Sequence, residues 1–114
     1  YKRQSLRYVK NVISFISKKY SEPIKIQEIA DFYGLDRSYL CKIFKHATNY
    51  TLQEYLIFFR IKKARQLLKN PELPIQHIAY AVGYRDPFAF SKVFKKETGM
   101  SPSDYRAQHL NSQD

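Results

Sequence analysis

The chain has 114 residues, the length of one domain or of two very small subdomains sharing a rigid element. Twenty Lys and Arg against ten Asp and Glu give a formal charge of +10, which favours a polyanionic partner, either nucleic acid or an anionic membrane surface. One cysteine excludes an internal disulfide, as expected of a cytosolic protein, and no apolar run approaches ~18 residues, so no membrane span is expected. Ten Tyr and eight Phe are ample for a core, although each half alone would be marginal. No secretory leader is evident and the first residue is Tyr1, which leads to the expectation of a piece of a longer protein.

Leu6, Val9, Ile13, Ile16 and Tyr20 step by three and four, predicting an amphipathic helix whose outer face carries Arg7, Lys10, Asn11, Ser14 and Lys18. Ser21-Glu22-Pro23 ends it, because Pro23 cannot continue a helix. A short helix is predicted over 26–33 with Ile29 and Ala30 inward, and Gly34 then permits a tight turn. Asp36 is a good N-cap for a helix over 37–47. On that helix Leu40, Ile43, Phe44 and Ala47 cluster on one side, with Ser38, Cys41, Lys42 and Lys45 opposite. Thr51-Leu52-Gln53-Glu54 is a capping box opening a long helix that extends to residue 68 or 69, ~28 Å at 1.5 Å per residue. Its apolar residues form two sets, Leu52, Tyr55, Leu56 and Phe59, then Ile61, Ala64, Leu67 and Leu68, as a connector between two cores requires. Arg60, Lys62, Lys63, Arg65 and Lys69 are expected to be solvated.

Beyond the break at Asn70-Pro71-Glu72-Leu73-Pro74 the pattern repeats. Ile26, Gln27, Ile29, Ala30 and Gly34 recur 49 residues later as Ile75, Gln76, Ile78, Ala79 and Gly83. At an offset of 50, Asp36, Lys42, Phe44, Lys45, Thr48 and Tyr55 recur as Asp86, Lys92, Phe94, Lys95, Thr98 and Tyr105. The second unit therefore has a short helix over 75–82, a turn at Gly83, and a helix over 87–98 capped by Asp86, with Pro87 at the tolerated first position. Phe90, Val93 and Phe94 face its core while Phe88, Ser91, Lys92 and Lys95 face away. Gly99 closes the helix, Ser101-Pro102 starts a last one with Tyr105 inward, and a polar tail over 111–114 is expected to fray.

A short helix, a glycine turn and a second helix with a polar outer face make a helix-turn-helix. Ala30 and Ala79 are small enough for the first helix to brace the second closely, and the second can project its outer face into a major groove. One Ala-x-x-x-Gly is a weak signal, whereas two in-register copies on a basic chain are a strong one.

Over nearly its whole length the chain closely resembles the DNA-binding domain of the AraC/XylS family of bacterial transcription regulators. The stretches that carry the likeness are IQEIADFYGLDRSYLCKIFKHATNYTLQEYL, FRIKKARQLLKN and PIQHIAYAVGYRDPFAFSKVFKKETGMSPSDYR, the last being highly specific. Phe32-Tyr33 and Asn49 depart from the usual pattern, Asn49 standing where the second copy has Gly99. The resemblance implies an all-α fold of about seven helices, two helix-turn-helix subdomains (1–50 and 71–114) joined by a connector over 51–70. It implies sequence-specific binding of promoter duplex DNA in the bacterial cytoplasm, at the nucleoid, by two recognition helices in successive major grooves. It also implies an activator of carbohydrate-use genes, RNA polymerase as a partner, and a sensing and dimerising domain N-terminal to this one. No enzymatic activity, cofactor or metal is expected.

Lys42 and Lys92 hold the position for which the resemblance implies a base contact, and a lysine there can meet guanine or a phosphate. Ser38 and Phe88 are paired near the helix starts, Phe88 suiting a thymine methyl or else packing on Tyr84 or Arg85. Cys41 and Ser91 are the next pair, and no second thiol or compact spacing makes Cys41 a metal ligand with His46. Arg37 and Arg85 flank the helix starts and either contact DNA or sit in solvent. Lys45, Lys95 and Lys96 suit backbone anchoring, although a solvated face would carry the same residues. His46, His77 and His109 are read as structural or surface residues. Two rival readings are weaker. A regulator fused to a methyl-accepting cysteine domain needs a cysteine cluster, and a basic membrane-surface or RNA-binding bundle leaves the duplicated turns unexplained.

Overall fold

The computed structural model describes residues 3–111, and the expectation of a frayed tail at residues 112–114 lies outside them. The described residues form seven helices, α1 (Arg3–Lys19), α2 (Ile26–Phe32), α3 (Arg37–Thr48), α4 (Leu52–Leu68), α5 (Ile75–Ala81), α6 (Pro87–Thr98) and α7 (Pro102–Asn111). The chain divides into two compact units between Ile57 and Phe58, within α4.

In the first unit α3 packs against α1 and α2. The buried stripe of α1 is Ser5, Val9, Val12 and Ile16, one position round from the predicted one. Leu6 is 49% exposed and Ile13 only half-buried. The reason is a polar contact: the Ser5 hydroxyl lies 3.0 Å from the Tyr39 hydroxyl of α3, so a serine is satisfied at the end of an apolar stripe. Ile29 and Ala30 of α2 and Leu40, Ile43 and Phe44 of α3 are buried as expected. Ala47 is exposed instead, and the Tyr55 ring meets Phe44 edge-on at 5.4 Å to cover the core there.

In the second unit α6 packs against α5 and α7. Ile78, Ala79, Phe90 and Phe94 are buried, with Ile61, Ala64 and Leu68 from α4. Phe59, expected in the first core, falls on this side of the division, half-buried with the Lys63 ammonium 5.5 Å from its ring centroid. Arg60 departs from its expected solvation, its guanidinium lying 5.5 Å above the Tyr84 ring. Burial lowers the Arg60 pKa and raises that of the Tyr84 phenol. Arg106 of α7 also ties the end of α4, donating from Nε to Leu68 O (3.1 Å) and from Nη2 to Asn70 O (3.2 Å) and Leu73 O.

Candidate nucleic-acid interface

The two turns are built alike. Gly34 and Gly83 adopt left-handed φ of 66° and 103°, which costs a glycine little and a residue with a Cβ about 1–2 kcal/mol. The bonds around them match: Leu35 N–H to Ala30 O and Tyr84 N–H to Ala79 O are both 2.9 Å. Asp36 then caps α3 by accepting from Tyr39 N–H (3.2 Å), and Asp86 caps α6 by accepting from Phe88 N–H (2.9 Å). The far ends match as well. Thr48 and Thr98 each donate to the carbonyl four residues back, Phe44 O and Phe94 O, at 2.8 Å. Asn49 and Gly99 both close their helices with left-handed φ, 66° and 84°. Asn49 tolerates the conformation that glycine adopts freely.

Each unit is thus a helix with one buried face, held at both ends, and an opposite face turned outward. On α3 that face is Ser38, Cys41, Lys42 and Lys45, with Cys41 half-buried and the others exposed. On α6 it is Phe88, Ser91, Lys92 and Lys95, with Ser91 half-buried. Residues three and four apart share a helix face, so each set of four forms one continuous surface. Arg37, Arg85 and Lys96 are exposed beside these faces. Phe88 is 80% exposed, and Tyr84 packs on Phe90 instead, at 5.6 Å. A ring this exposed is left largely uncovered by its neighbours.

Not every predicted surface lysine is equally free. The Lys45 ammonium donates to Asn49 O at 2.9 Å and lies 3.8 Å from the Glu54 carboxylate. Glu54 in turn closes the predicted capping box, accepting from Thr51 N–H (2.9 Å) while Thr51 Oγ1 accepts from Glu54 N–H (3.0 Å). Hydrogen bonding of the carboxylate by the Thr51 N–H and then by the Thr51 side chain, with the nearby Lys45 charge, holds the Glu54 pKa below its ordinary value. No group of three or more His, Cys, Asp or Glu that could hold a metal ion occurs among the described residues. Nor is any described helix long and apolar enough to cross a membrane.

Residues 29–108 match the family model described as a helix-turn-helix domain. The chain is 41% identical over 105 residues to the Msm operon regulatory protein of Streptococcus mutans, covering 92% of this chain and 38% of that protein. It is 39% identical over 94 residues to the raffinose operon transcriptional regulatory protein RafR of Pediococcus pentosaceus (82% and 34% covered). To the lactose operon transcription activator of Staphylococcus xylosus it is 36% identical over 98 residues (86% and 35%). It therefore spans little more than a third of the length of these relatives. Among solved structures, the C-terminal domain of the response regulator AraT from Geobacillus stearothermophilus superposes with a TM-score of 0.86 at 33% identity, covering 89% of this chain and 84% of that one. An AraC-type DNA-binding domain protein from Chromobacterium violaceum does so with 0.83 at 26% identity (94% and 96%). With its two capped helix-turn-helix units and these likenesses, the chain belongs to the AraC/XylS family of helix-turn-helix DNA-binding domains.

Proposed function

We propose that this domain binds promoter duplex DNA sequence-specifically and serves a transcription activator of carbohydrate-use genes. The observation that carries the reading is the repeated outward face, Ser38-Cys41-Lys42 on α3 and Phe88-Ser91-Lys92 on α6, on helices whose other sides are sealed. The two helices enter successive major grooves, Lys42 and Lys92 at base edges, with Arg37, Arg85, Lys95 and Lys96 near the phosphates. The sugar operons named for two of the relatives support the choice of regulated genes. RNA polymerase as a partner, a sensing and dimerising domain in the intact regulator and a place at the bacterial nucleoid belong to the same proposal.

Duplexes selected from a random pool test it. The domain is expected to enrich a consensus and to bind it with a log-affinity that falls with log salt by ~0.9 per phosphate neutralised. Lys42→Ala and Lys92→Ala are expected to flatten the preference at one position each, by about 1–3 kcal/mol. Equal loss for every sequence would make both lysines phosphate anchors, and no enrichment alongside sedimentation with anionic vesicles would favour a membrane-surface role.

A further inference from the structure

Lys45 and Lys95 are equivalent in the internal repeat, lying 50 residues apart on the same turn of their helices. Their surroundings are not equivalent. The Lys45 ammonium reaches past the end of its own helix to Asn49 O (2.9 Å) and stands beside Glu54, which holds Thr51 N–H. This one side chain ties the last turn of α3 to the first turn of α4. A lysine that bonds a carbonyl at a helix C-terminus also offsets the negative end of the helix dipole.

The second copy has Asp104 where the first has Glu54. Ser101 Oγ still accepts from Asp104 N–H, at 3.1 Å. An aspartate is one methylene shorter than the Glu or Gln of a capping box. Among the described residues neither Asp104 nor Gly99 O engages the Lys95 ammonium. Lys96 beside it is likewise exposed. A lysine without an internal partner gives up nothing but water on meeting a phosphate. Lys45 would have to break a hydrogen bond and carry a neighbouring carboxylate toward a polyanion.

We infer that the repeat divides two tasks between these lysines: Lys45 is a positioning residue that latches the first recognition helix to α4, while Lys95 is a backbone anchor on DNA. The assignment rests on the DNA-binding reading above and revises the anchoring role expected of Lys45.

The test measures affinity for one selected duplex across a salt series, together with thermal unfolding, for the 114-residue chain and four variants. Lys95→Ala is expected to lower the log–log salt slope by about 0.9 with little change in melting temperature. Lys45→Ala and Glu54→Gln are expected to lower the melting temperature without reducing the slope, and the double variant to lose less than the sum of the two. A slope that falls equally for Lys45→Ala and Lys95→Ala overturns the division. So does additive loss from the double variant, or a Lys95→Ala slope that does not move. Absence of DNA binding by the unmodified chain would instead remove the functional reading itself, and the anchor assignment with it.

Discussion

Phe88 leaves 80% of its surface to solvent, two residues before an aromatic ring that is sealed. An apolar ring so placed is unfavourable until something covers it, and at the start of a recognition helix a thymine methyl is a suitable cover. Replacing the contacted thymine by deoxyuridine, which lacks the methyl, is expected to weaken wild-type binding about fourfold, the worth of one buried methyl-sized group. In Phe88→Ala the same replacement should cost nothing. Fluorescence anisotropy on the four combinations of protein and duplex checks this, and equal losses in both proteins would remove the contact. The outward placement of Phe88 was legible in the sequence, because Phe90 and Phe94 already claimed the inner side. That of Arg60 was not: its half-burial depends on Tyr84, twenty-four residues away, arriving under the guanidinium.

At the level of elements, the helix ends followed the sequence closely because caps are local chemistry. Asp36, Asp86 and the Thr51–Glu54 pair each act within three residues of where they stand. The Glu54 contribution depends on pH in a definite direction. Its pKa is lowered in the folded protein, chiefly by its bonds to Thr51, so its stabilising effect is complete above the ordinary value of 4.5. The effect is lost as pH falls from there through the lowered value. Glu54→Gln is expected to reduce stability at neutral pH and to have a smaller effect at the acid end, as followed by urea unfolding at several pH values. A difference that does not shrink on acidification would contradict the ionic character of this cap. The stripe of α1 was less legible than the caps. Hydrophobic spacing favoured Leu6, but the hydroxyl offered by Tyr39 makes Ser5 the buried residue.

For the molecule as a whole, a charge of +10 sets a steep salt dependence for any polyanionic partner. Raising the salt concentration is therefore expected to weaken binding to any selected duplex, as a salt titration checks, and an affinity that does not change with salt would contradict the electrostatic reading.

By itself the sequence determined the helices, their caps, the duplicated turns and the outward faces, since periodicity and capping act over a few residues. The Gly34 and Gly83 conformations and the sealed Phe44 and Phe94 followed from that pattern. Tertiary structure decided what side chains do when their partner comes from another element. It turned α1 onto Ser5, placed Arg60 over Tyr84 and set Arg106 at the end of α4. It also tied Lys45 to Glu54 while leaving its repeat-mate Lys95 in solvent. Two lysines identical in the pattern differ in what stands around them, Asn49 O and the Glu54 carboxylate beside the first and solvent about the second.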